Sequence, residues 1–152
     1  MARMELVVLD PRIEEWGIPA RGTDGSAGLD LRACVAERTV IAPQGTLKIG
    51  TGVAVHIADP GLVGLVVPRS SAGKRGVALM NTVGVIDSDY LGEIVCFTLN
   101  WNPPGGESLV VEPGDRLFQL LFVPVAIADL VKVSAFSTST ARGEGGYGST
   151  GR

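Results

Sequence analysis

Turn-forming residues recur along this chain at intervals that leave room only for brief elements. Ala42-Pro43-Gln44-Gly45, Asp59-Pro60-Gly61, Pro103-Pro104-Gly105-Gly106 and Glu112-Pro113-Gly114-Asp115 are strong turn formers, because Pro presets φ and Gly accepts the backbone that tight turns need. With 21 Gly and 9 Pro in 152 residues, a long helix has almost no uninterrupted stretch to occupy. The apolar runs between turns have strand length: Glu5–Leu9, Leu29–Ala33, Thr39–Ile41, Leu47–Ile49, Val53–Ile57, Leu62–Val67, Glu93–Trp101, Ser108–Val111, Arg116–Val123 and Leu130–Val133. Val53, Val55 and Ile57 alternate with Ala54 and His56, which is the period of a strand. Only a piece near Ser71–Arg75 reads as a short helix. Many short strands joined by Gly/Pro turns predict an all-β barrel or jelly-roll sandwich.

The length suits one domain. Hydrophobic residues make up 45% before Gly is counted, and charged residues 19% against a usual ~25%. That balance excludes disorder, and it predicts surface hidden in an oligomer, since a small domain alone covers so much apolar area poorly. A net charge of −3 argues against stable nucleic-acid binding. Leu6–Leu9 is too short for a signal-peptide core, and Leu117–Ala128, interrupted by Gln119 and Pro124, is too short to span a bilayer. The expectation is a soluble, cytoplasmic protein in which Cys34 and Cys96 are free, partly buried thiols.

The single histidine, His56, rules out multi-imidazole zinc sites and reads as a structural strand residue. Gly143, Gly145 and Gly148 match a dinucleotide-binding pattern, yet no helix can follow them so near the end. Asp87, Asp89 and Gly92 begin a calcium-loop pattern that fails at Leu91 and Thr98. Three segments keep chemical interest. Arg142-Gly-Glu-Gly-Gly-Tyr-Gly-Ser-Thr-Gly-Arg152 has the glycines, hydroxyls and arginine that suit phosphate, with one aromatic to cover a ring. Pro68-Arg69-Ser70-Ser71-Ala72-Gly73 offers a guanidinium and two hydroxyls to an anion. Asn81–Gly92 reads as a strand and turn returning from Glu93, hence a β-hairpin. Within it Asp87 follows two apolar residues, which predicts partial burial, and a turn-capping role is as open to it as a chemical one.

Taken in order, five segments resemble the motifs of the trimeric dUTPase family: Ala27–Ala33, Pro68–Gly73, Gly84–Gly92, Gly114–Gln119 and Arg142–Gly151. The resemblance implies a jelly-roll-like, distorted β-barrel subunit over residues 1–141, a flexible C-terminal arm over 142–152, and a threefold homotrimer whose active sites are shared between subunits. It implies hydrolysis of dUTP to dUMP and pyrophosphate by attack of water on the α-phosphorus, which limits uracil in DNA and supplies dUMP for thymidylate synthesis. Asp87 would be the catalytic base. Arg69, Ser70, Ser71, Gln119, Arg142, Ser149 and Thr150, with Gly148, would hold the phosphates. Tyr90 would stack on the sugar and exclude a 2′-hydroxyl, while Tyr147 would cover the uracil. Asn81, Val85, Ile86 and Val95 would surround the base, where backbone groups match uracil's edge and leave cytosine with unpaired polar groups. Mg²⁺ would bind mainly through the triphosphate, with Asp30 acting through water.

Ser71 stands where many members have Gly, and Tyr147 where Phe or His is common. Ser71 preserves backbone phosphate contacts while its φ stays negative, and Tyr147 keeps an aromatic face. Two other readings share the fold or the ligand: a dCTP deaminase-like relative, against which Glu93 lies past the hairpin tip, and a non-catalytic nucleotide-binding regulatory trimer.

Overall fold

The computed structural model describes residues 3–145. Its strands are β1 (Glu5–Val8), β2 (Leu29–Arg32), β3 (Thr39–Ile41), β4 (Thr46–Gly50), β5 (Val53–His56), β6 (Leu62–Pro68), β7 (Val77–Leu79), β8 (Gly84–Ile86), β9 (Val95–Asn100), β10 (Leu109–Val111) and β11 (Arg116–Pro124). Two helices of five residues interrupt them, α1 (Arg12–Trp16) and α2 (Ser70–Lys74). All pairings are antiparallel: β1 with β5, β10 with β3, and the sheets β2-β11-β6-β8 and β4-β9-β7. This all-β arrangement around one core fits a jelly-roll subunit. No helix among the described residues is long and apolar enough to cross a membrane.

Turn chemistry sets the strand ends. In the turn before β11, Gly114 takes φ +84, the Asp115 amide donates to Glu112 O at 3.1 Å, and Asp115 Oδ2 accepts from the Glu112 amide at 3.0 Å. A residue with a Cβ is strained in that backbone. Strand alternation then sorts the side chains. Val53, Val55 and Ile57 enter the core with Leu31, Ile49, Ile94 and Leu120, whereas His56 stays half-buried.

A β-bulge in β11 sets the register of the residues around it. Arg116 pairs with Arg32 and Phe118 with Leu31, so Leu117 is the extra residue. Both Leu117 and Phe118 are buried at 1% exposure, which a regular two-residue alternation forbids. The bulge restores register with Gln119 opposite Asp30 on β2 and opposite Val67 on β6. Three distant segments of the chain are thereby brought side by side.

Three expectations need correction. Leu130–Val133 forms no strand, because it finds no edge to pair with in this chain; every residue from 124 to 144 is exposed. The Asn81–Gly92 segment is not a hairpin returning into β9: β8 pairs with β6, while β9 pairs with β4 and β7. Asp87 is exposed, since the chain leaves β8 at Ile86 and turns outward. Helix α1 has no counterpart in the strand and turn pattern. It starts where Asp10 Oδ1 accepts from the Arg12 amide at 3.0 Å and stops at Gly17, φ +99.

Candidate active site

The candidate residues gather in two separate hollows. Asn81, Val85, Ile86, Asp87, Tyr90 and Val95 line a cavity of about 290 Å³. Strand β8 holds Val85 and Ile86 through its pairing with β6, so the wall of this cavity is rigid sheet. Asp87 begins the loop beyond it, and the Tyr90 amide donates to Asp87 O at 3.2 Å. The Tyr90 hydroxyl donates to Glu93 O at 2.9 Å, which turns the half-exposed phenol toward the cavity it lines. Glu93 lines the same cavity, but its Oε1 accepts from the Gly52 amide at 2.9 Å. That carboxylate is held by backbone.

Asp30, Arg69, Ser70 and Gln119 line the second hollow, of about 320 Å³. Asp30 takes two guanidiniums, Arg69 Nε at 2.9 Å on Oδ1 and Arg116 Nη1 at 3.1 Å on Oδ2. Two cations against one carboxylate leave a net positive hollow, chemistry suited to an anion with several oxygens. Gln119 Nε2 donates to Pro68 O at 3.4 Å, and Gly28 lies so close to Gln119 that a Cβ there would collide with its amide. Arg116 is the residue that reading the sequence missed. Its signal was its place two residues after Gly114, beside motif residues already singled out, but nothing local says that it meets Asp30.

Ser71, exposed on α2, lines neither hollow. Arg142 is exposed, and its Nε donates to Gly145 O at 3.0 Å. Tyr147, Gly148, Ser149 and Thr150 lie outside the described residues. No group of three or more His, Cys, Asp or Glu that could hold a metal exists among the described residues. Both cysteines are free, Cys34 half-buried and Cys96 buried.

Comparison with known proteins agrees with the motif order. The family model described as dUTPase matches residues 14–151. The chain is 47% identical over 154 residues to the deoxyuridine 5'-triphosphate nucleotidohydrolase of Cronobacter sakazakii, covering 100% of this chain and 99% of that one. The dUTPase of Staphylococcus bacteriophage 80alpha with dUPNHPP superposes with a TM-score of 0.85 at 27% identity, covering 100% of both chains. A mutant dUTPase from phage phi11 of S. aureus, whose structure concerns the coordination of a structural Mg(II) ion, gives a TM-score of 0.75 at 25% identity over 90% of this chain and 99% of that one. The chain belongs to the dUTPase family.

Proposed function

We infer that this protein is a dUTP diphosphatase, hydrolysing dUTP to dUMP and pyrophosphate by attack of water on the α-phosphorus. The observation that carries the reading is Asp87, an exposed carboxylate at the rim of a cavity walled by β8 and Tyr90. A carboxylate is base enough for this step when the water is held in line and the leaving group is stabilised. Uracil lies against Asn81, Val85, Ile86 and Val95, and Tyr90 closes the sugar side. Arg69, Ser70 and Gln119, with Arg116, bind phosphate oxygens, and Ser71 adds its backbone.

The two hollows share no lining residue, whereas one substrate needs both chemistries. A threefold homotrimer with shared sites supplies that: one subunit brings the base cavity and its neighbour the phosphate hollow. The exposed stretch after β11, with Leu130 98% and Phe136 90% exposed, supports burial against a neighbour. The arm over 142–152 then contributes Arg142, Tyr147, Gly148, Ser149 and Thr150 to an adjoining site.

The donor set fits Mg²⁺ carried by the triphosphate. Asp30 is occupied by two guanidiniums, which suits contact through metal-bound water better than direct ligation. When bound, the ion neutralises charge on the phosphates; Arg69 and Arg116 hold the same charge from the protein side. A soluble cytoplasmic enzyme agrees with free thiols.

Pyrophosphate and ammonia release from dUTP and dCTP test the reading together. Hydrolysis of dUTP without ammonia is expected, and Asp87→Asn should lower kcat by ~10²–10⁴ while nucleotide still binds. Wild-type turnover in that variant would reduce Asp87 to a turn residue, and ammonia from dCTP would make the chain a deaminase-like relative.

A further inference from the structure

The loop that carries Asp87 and Tyr90 is pinned at both ends by hydrogen bonds to segments distant in the chain. At its start, Ser88 O accepts from the Ala58 amide at 3.0 Å. At its end, Glu93 and Ile94 are fastened to the turn between β4 and β5. The Ile94 amide donates to Val53 O at 2.9 Å, Thr51 Oγ1 donates to Ile94 O at 2.7 Å, and the Gly52 amide donates to Glu93 Oε1 at 2.9 Å. Thr51 and Ile94 are each 1% exposed, so this root is core rather than surface.

The Glu93 carboxylate occupies a place shaped for it. A Cβ at Gly50 would collide with Glu93 Oε1, and Gly52 holds φ +67 with its amide aimed at that oxygen. Gly52 is buried, so its N–H needs an acceptor, and a carboxylate is a strong one. From this anchor the backbone turns so that Glu93 O receives the Tyr90 hydroxyl at 2.9 Å. Gly92 passes so close under the phenol that a Cβ would collide with the ring. The path from the Gly52 amide to the Tyr90 ring is thus one carboxylate, one peptide carbonyl and one hydroxyl.

We propose that Glu93 is the positioning residue for Tyr90: its carboxylate, held by the Gly52 amide, sets where the phenol stands at the nucleoside cavity and hence how strictly the site rejects a 2′-hydroxyl. The proposal rests on the reading of the protein as a dUTP diphosphatase. It requires an acceptor oxygen at the end of a side chain of this length and does not depend on the negative charge. Gln supplies the same oxygen, Asp falls one methylene short, and Ala leaves the buried amide without a partner.

Steady-state kinetics with dUTP and UTP for the wild type, Glu93→Gln and Glu93→Ala, alongside thermal melts, test it. Glu93→Ala should lose about tenfold in the dUTP/UTP ratio of kcat/KM, the loss falling more on KM for dUTP than on kcat, as expected when a group that shapes the site shifts. Glu93→Gln should recover most of the ratio. A Glu93→Ala protein with wild-type selectivity overturns the proposal, and so does a Glu93→Gln protein as impaired as Glu93→Ala. Where Glu93→Ala fails to fold, Glu93→Asp replaces it with the same expected and overturning results. A wild-type chain inert to dUTP would overturn the parent reading and this proposal together; an active wild type with an unaltered Glu93→Ala ratio overturns this proposal alone.

Discussion

Asp30 takes its character from neighbours distant in sequence. Its partner Arg116 is 86 positions away, and with Arg69 it converts a lone carboxylate into the hub of a cationic hollow. Burial acts as strongly on the two thiols. Removal from water pushes Cys34 up to about 11 and Cys96 up to about 12, the Asp10 charge adding to the effect at Cys34. Both move from an ordinary value of 9.0, so the fold favours the neutral thiols. Their contribution to stability is complete below that ordinary value and is lost as pH rises from it toward the folded values. The urea midpoint should therefore hold steady to about pH 8 and fall above about pH 9. A Cys34→Ala, Cys96→Ala variant should show a shallower alkaline fall, and equal slopes for the two proteins would remove the thiols from the explanation.

Among the elements, β11 does most to assemble the cationic hollow. Its bulge buries Leu117 and Phe118 in succession and so turns Gln119 outward opposite Asp30. Strand β9 shows a second device. Its last residue, Asn100, is 0% exposed; Nδ2 donates to Ile41 O at 2.9 Å and Glu107 O at 3.0 Å, and Oδ1 accepts from the Asn102 amide at 3.0 Å. The side chain thereby ties β9 to β3 and to the loop preceding β10. Replacing it with Ala strands the buried Ile41 carbonyl and removes two part-buried bonds, and the expected cost is about 1–3 kcal/mol in chemical denaturation. A loss below about 0.5 kcal/mol would mean that water takes over those bonds.

For the whole molecule, the distribution of apolar surface points beyond one chain. Trp101 after β9 is 70% exposed, and Leu130, Val131 and Phe136 in the stretch after β11 are 98%, 80% and 90% exposed, more bare apolar surface than a small soluble domain usually keeps. Sedimentation at micromolar concentration should give about three times the 15.8 kDa chain mass. A monomer there would contradict the shared-site reading, because neither hollow alone offers both the sheet wall beside Asp87 and the paired guanidiniums at Asp30.

Element type was legible from the residues where short-range chemistry decides it. Gly/Pro turns and period-two alternation located every predicted strand but Leu130–Val133, and the order of five motifs singled out Asp87, Tyr90, Arg69 and Gln119. Those features depend on φ/ψ preferences and on side-chain identity within a few residues. Strand partners did not follow from such rules. That β8 joins β6, that Gln119 faces Asp30, that Arg116 belongs to the cationic hollow and that Glu93 meets the Gly52 amide all rest on contacts between distant segments. Only close packing of a shared core selects among the pairings that local patterning leaves equally acceptable.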